Sequence, residues 1–193
     1  MHQGMSYSAT GAHPEHADSL QHILEYSLFN TKEELLSEFS VIEGLSVHAS
    51  GTRIIIWNLR RTTSGELEFD FMKDPYDIRI PTDVYENTRE PKKQQNQTGM
   101  SVPESEYSLR AYSSILYLKP RMQIIIQGQK VETQFVTKSL AKVLKATYKP
   151  RNHKEKITIT FGYNTKTKEH YGIMMYNKNR LIKSYERVAC QRR

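Results

Sequence analysis

A chain of 193 residues with 37% hydrophobic residues and a net charge of +7 suits one domain of ordinary size, with an apolar content low enough to point to solvated segments. No stretch reaches the apolar length of a membrane span, and the N-terminal "MHQGMSYSATGAHPEHADS" lacks the basic-then-apolar layout of a signal. The single cysteine, Cys190, makes neither an internal disulfide nor a cysteine zinc site, so the expectation is a reducing interior, cytosolic or nuclear, without membrane attachment.

The charge is uneven. Residues 1–141 carry 14 Lys and Arg against 18 Asp and Glu, a net of −4; residues 142–193 carry 14 against 3, a net of +11. A basic half favours polyanions, whether nucleic acid, nucleotide phosphate or acidic protein, and a merely solvated face explains the same charges.

In chain order, residues 1–18 mix Gly, Ser, His and Pro without periodicity and read as disordered. A first helix follows, capped by Asp18 or Ser19, with Leu20, Ile23, Leu24 and Leu28 on one face. A second is capped by Asn30 or Thr31, where Thr31 and Glu34 have the spacing of a capping box and Gly44 suits the stop. In "GTRIIIWNLRR" three isoleucines and Trp57 run together, which predicts a strand buried on both faces with Trp57 in the core. "SGELEFDF" alternates as a hairpin partner, "YDIRIP" adds a short extended piece, and residues 84–104 read as a flexible loop. "SEYSLRAYSSILYLKPR" predicts a central helix capped by Ser105 and ended by Pro120. Strand-like runs close the chain: "MQIIIQG", "KVETQFV", "KVLKATYKP", "KITITFGYN" and "HYGIMMYN", with "NTKTKEH" as a hairpin loop. Helices, then a hairpin, a helix and a run of strands make an α+β fold, a mixed or antiparallel sheet with helices packed on it.

The chemistry of a complete enzyme is missing from the pattern. There is no glycine-rich phosphate loop, no defensible nucleophile–base pair, no framed carboxylate pair, and the aromatics lack the spacing of an RNA-stacking sheet. What remains is the cationic end "NKNRLIKSYERVACQRR", for which a solvated tail, a nucleic-acid grip and a phosphate-reaching lysine all stay open. Lys149, Arg151, Lys154, Lys166, Lys168 and Lys178, loop-like cations at strand ends, are the candidates for a non-specific DNA contact.

Several strings are specific. "SLFNTKEELL", "GTRIIIWNLRR", "EFDF", "DIRIP", "SEYSLRAYSSILYLKPRMQIII", "GQKV", "HYGIMMY" and "NRLIKSYERV" closely resemble, in order, the second half of the ATPase module of the microrchidia (MORC) family, over roughly residues 20–191. In that family a GHKL-type nucleotide-binding domain precedes a transducer domain of the ribosomal protein S-five-like type. The resemblance implies that residues 19–44 are the helical end of the former and residues 51–193 a partial transducer. It implies ATP and magnesium as cofactors of an intact module and none in this chain alone, because the family's metal-binding Asn, adenine-binding Asp and glycine-rich lid boxes do not precede residue 19. The implied partners are the missing GHKL half, a second copy of the full module that dimerises with ATP bound, and DNA or chromatin; the implied location is the nucleus and the implied role gene silencing. By match to "RLIKSYE", the lysine that such relatives place against the ATP γ-phosphate is Lys183.

Overall fold

The computed structural model describes residues 14–43, 50–81, 84, 102–152, 154–165, 170–188 and 191. Of residues 1–18, expected to be disordered, residues 1–13 fall outside the described residues and residues 14–18 are instead helical; the Gly44 stop, nearly all of the 84–104 loop and most of the "NTKTKEH" connection also fall outside the described residues. The contacts divide the chain into two compact units, Met1–Leu59 and Arg60–Arg193.

The first unit holds α1 (Pro14–Tyr26) and α2 (Lys32–Glu43). α1 starts at Pro14, ahead of the Asp18 and Ser19 caps that the sequence suggested; a proline in the first turn costs no hydrogen bond and presets a helical φ. α2 has the predicted capping box: the Glu34 amide donates to Thr31 Oγ1 at 3.2 Å while the Glu34 carboxylate accepts from the amides of Asn30 (2.7 Å) and Thr31 (3.3 Å). The stretch after it corrects an expectation. Residues 50–59 form no strand, Ile54 and Ile56 stand exposed, and Trp57 is 50% exposed rather than core. Three isoleucines supply β propensity, but a strand exists only where a ladder partner meets it, and the described residues offer this stretch none.

The second unit begins with a tight turn in which Thr62 accepts from Gly65 and donates to Glu66, with Gly65 at φ 87 and a single bridge from Arg61 to Leu67 in place of the predicted hairpin. Asp77 then organises the centre. Its carboxylate is 1% exposed and accepts from the Ser108 hydroxyl (2.5 Å), the amides of Ile78 and Arg110 (both 2.8 Å) and Arg79 (3.4 Å). A buried carboxylate is stable only when its lone pairs are met in this way. Arg79 completes the group, 2.7 Å from Glu104 and over the Tyr107 ring. Its ordinary guanidinium pKa is affected in opposite senses: burial favours the neutral form, and Glu104, Asp77 and Tyr107 together hold the charge more firmly, with a net rise.

These contacts reset the predicted central helix. Residues Glu104–Glu106 are a 3-10 turn, Ser108 is extended because it bridges Arg79, and the helix α3 runs only over Leu109–Ile115. The cap is Ser108, whose Oγ accepts from the Ala111 amide at 2.9 Å, and not Ser105. Arg110 reaches from α3 to carbonyls of Tyr76, Ile126 and Lys130, tying down the turn between β1 (Ile125–Ile126) and β2 (Gln129–Lys130). The most buried apolar side chains among the described residues, Ile115, Ile126, Val131 and Leu181, mark the core.

The fold is α+β with antiparallel pairing throughout the ladders: β1–β2, then β3 (Leu140–Tyr148) with β4 (Ile157–Asn164), then β5 (Ile173–Asn177) with β6 (Arg180–Glu186). Beyond Lys130, which ends β2, the run "KVETQFV" is not a strand; it leads into a 3-10 turn at Val136–Ser139. No helix among the described residues is long and apolar enough to cross a membrane.

Candidate functional site: a doubly bulged hairpin carrying Lys183

The β5–β6 hairpin turns through Lys178 (φ 44) and Asn179 (φ 79), the pair of positive φ values that marks a type I′ turn and matches the twist of the flanking strands. Asparagine tolerates this region better than most residues, and here its side chain also anchors the turn. Asn179 Oδ1 accepts from the Lys119 amide (2.7 Å) and Asn179 Nδ2 donates to the Lys119 carbonyl (2.8 Å). The Leu118 amide donates to the Asn179 carbonyl and the Leu181 amide to Leu116, so the segment after α3 lies along the start of β6. Tyr176 adds a link from β5, donating its hydroxyl to the Ile115 carbonyl at 2.8 Å.

Past this anchor the register slips twice. Tyr176 pairs with Leu181 but Met175 pairs with Lys183, and Ile173 pairs with Glu186. β6 therefore carries one extra residue just before Lys183 and another just after it. Bulges of this kind twist a strand and re-aim the side chain beside them. The second is tightly built. Tyr185 is held at φ 52, an uncommon state for a bulky residue, its amide directed to Met174 Sδ at 3.3 Å and its ring stacked on His170 at 4.9 Å. Opposite it, Gly172 has φ 126, and a Cβ there would lie 2.7 Å from the Tyr185 backbone. Only glycine allows so close an approach. Burial pushes the Tyr176 phenol up to about 12, with the nearby Tyr185 adding to the rise, and burial also raises Tyr185.

Lys183 itself is exposed, with its Nζ 3.8 Å from Glu186 Oε2. An ion pair this open and this long contributes little, so the ammonium is available to a stronger anion. One compact cation on a flexible stem suits a single phosphate oxygen. Among the described residues no three His, Cys, Asp or Glu side chains gather to hold a metal ion.

Among the described residues the other sequence candidates are scattered, with only Lys178 on this hairpin. Lys149, Arg151 and Lys154 lie on the connection between β3 and β4, Lys178 is in the β5–β6 turn, and Lys166 and Lys168 fall outside the described residues. A cavity of about 290 Å³ opens beside Tyr117, Arg121 and Lys130.

Residues 107–193 match the family model described as Morc6 ribosomal protein S5 domain 2-like. Along 90% of the chain the sequence is 58% identical to MORC family CW-type zinc finger protein 3 of Mus musculus. The chain belongs to the microrchidia (MORC) family. It is also 32% identical to Protein MICRORCHIDIA 4 of Arabidopsis thaliana over 88% of the chain, and 37% identical to ATPase MORC2 of Homo sapiens over 68%. The chain spans 18%, 22% and 10% of the lengths of these three relatives. The matched MORC transducer region runs from the Tyr107 side of the Asp77 cluster through α3 to β6, and so contains Lys183 and the whole doubly bulged hairpin.

Three residues in and beside this MORC hairpin escaped sequence reasoning: Asn179, Gly172 and His170. The signal for Asn179 was present in "NKN", a turn-forming string between two apolar runs. Gly172 carried a weaker one, as a lone glycine inside a strand pattern. Nothing local announces that Tyr185 takes a left-handed conformation.

Proposed function

We propose that this chain is the transducer part of a MORC-type ATPase module, with residues 19–44 as the helical end of the nucleotide-binding half, and that Lys183 senses the terminal phosphate of ATP held by that half. What supports the reading is the placement of the one lysine in "RLIKSYE" between two register shifts on an anchored hairpin. ATP with magnesium, bound in an intact module, supplies a phosphoanhydride for hydrolysis. Lys183 neutralises charge at the terminal phosphate, the bulges fix the direction of its stem, and Asn179 passes the position of the hairpin to α3. Through this link the module couples nucleotide state to dimerisation, and in the nucleus to chromatin-associated gene silencing. The adenine and metal ligands belong to the nucleotide-binding half, so this chain alone is inactive in hydrolysis.

The test is a rebuilt full module carrying Lys183→Ala. ATP turnover is expected to fall about 100-fold with folding unchanged. Unchanged turnover with intact ATP-dependent dimerisation would remove the assignment.

A second reading has its own observation. Lys149, Arg151, Lys154 and Lys156 crowd one hairpin connection with Glu155 as the single acid, a footprint suited to phosphate backbones without base recognition. In gel-shift titrations such DNA binding weakens steeply with salt, and binding indifferent to salt would exclude it.

A further inference from the structure

The second bulge of β6 decides which side chain faces Lys183. Residues three apart on a regular strand point to opposite faces of the sheet, because the side-chain period is two. Lys183 and Glu186 are three apart, yet they share a face. Met175 pairs with Lys183 and Ile173 with Glu186, and Ile173 and Met175, two apart on β5, lie on one side of the hairpin. Between these pairs Ser184 and Tyr185 stand against Met174 alone. Without the extra residue Tyr185 would oppose Ile173, and Glu186 would turn to the other face. With it, Lys183 Nζ lies 3.8 Å from Glu186 Oε2.

Holding this arrangement strains the backbone and adds little stability. Tyr185 is kept at φ 52, and the close approach opposite it leaves room only for Gly172. The ion pair that results is open, with Lys183 59% and Glu186 44% exposed, and such pairs contribute little to folding. At 3.8 Å it is also longer than a hydrogen bond, so the carboxylate attracts the ammonium without locking it. Strain kept for so weak a contact points to the ammonium that it places. On the reading of Lys183 as the terminal-phosphate contact, on which this rests, we propose that Glu186 is a positioning residue: it is the counter-ion of Lys183 when no terminal phosphate is present, it gives the ammonium up when one arrives, and it thereby sharpens the choice of ATP over ADP. A phosphate with close to two negative charges and three acceptor oxygens outcompetes a single carboxylate for a loosely held ammonium. The flexible lysine stem makes the exchange while the clamped turn keeps the hairpin still. ADP ends one phosphate short of the ammonium, and Lys183 stays with Glu186.

The experiment is a double-mutant cycle in the full module, with Lys183→Gln, Glu186→Gln and both together. Each is titrated by calorimetry with a non-hydrolysable ATP analogue and with ADP, magnesium present throughout. Glu186→Gln is expected to tighten binding of the analogue by about two- to fivefold, the range of an exposed ion pair, and to leave ADP unchanged. Lys183→Gln should weaken the analogue, and adding Glu186→Gln to it should bring no gain. An equal gain for ADP and the analogue, a gain that survives Lys183→Gln, or an unchanged analogue affinity where Lys183→Gln does weaken it, would overturn the role of Glu186 and leave that of Lys183 standing. An analogue affinity indifferent to Lys183→Gln would remove the phosphate contact itself, and the role of Glu186 with it. Where Glu186→Gln disturbs the hairpin, the unmodified module decides: the analogue should move the ¹³C resonance of the Glu186 side-chain carboxylate and ADP should not, and a response alike to both would overturn the proposal.

Discussion

The two long hairpins of the second unit are both antiparallel and both basic, yet they are held in opposite ways. β3–β4 has the longer ladder and a near-regular register, broken only between Ala141 and Leu144, and most of its side chains are exposed. β5–β6 is shorter and slips register twice, but its turn is clamped by Asn179, its Leu181 is buried and its Tyr176 reaches α3. A regular ladder on its own is marginal in water, since an isolated hairpin buries too little. Side-chain links to a neighbouring element can instead hold a hairpin that carries strain. The comparison separates two ways of holding the same motif: one clamped through a neighbouring element, the other resting on its own ladder.

The comparison breaks most directly at Gly172. Gly172→Ala forces a Cβ against the Tyr185 backbone at a φ that other residues avoid, and should lower stability by about 3 kcal/mol in urea titration. The loss should appear first as fast hydrogen exchange in β5 and β6, with β3–β4 unaffected. Asn179→Ala removes two hydrogen bonds to Lys119 and should cost roughly 2 kcal/mol. It should leave the turn itself formed but release it from the segment after α3, which NMR contacts between residues 116–119 and 179–181 would report.

Tyr176→Phe is the mildest change, about 1 kcal/mol for the lost bond to the Ile115 carbonyl. Its pH signature is more informative than its size. Burial favours the neutral phenol in the folded state, so the folded value of about 12 lies above the ordinary value near 10. The contribution is therefore complete below about pH 10 and is lost as pH rises from there through about 12. Replacement by Phe should flatten part of that alkaline decline in urea midpoints, and Tyr185, raised in the same sense, should account for a remainder.

The fold class, the runs that form β3, β4 and β5 and the α2 capping box were legible because each rests on local pattern: alternation, turn chemistry and an i, i+3 pair; "KVETQFV" read as a strand and is not one, and β6, which carries Lys183, read as a loop after the last strand. The reading of Lys183 rests on resemblance alone, since an exposed lysine after an apolar run looks like any solvated cation. Ile54 to Trp57 misled because an apolar β-branched run reports propensity, and a ladder partner is a long-range fact. The central helix came out short for the same reason: Asp77, 31 residues upstream, fixes Ser108 and sets where α3 begins. The two bulges around Lys183 are products of cross-strand pairing and a close Gly172–Tyr185 approach, neither of which has a signature along one strand.

The central claim is that the doubly bulged hairpin presents Lys183 to a terminal phosphate. It is tested most directly by following the lysine ammonium resonances of the rebuilt module, ¹⁵N-labelled, with Lys183→Arg to assign the signal. A non-hydrolysable ATP analogue with magnesium should shift and slow the exchange of the Lys183 ammonium, while ADP with magnesium leaves it unmoved. An identical response to both nucleotides, or no response while the analogue is bound, would contradict the account.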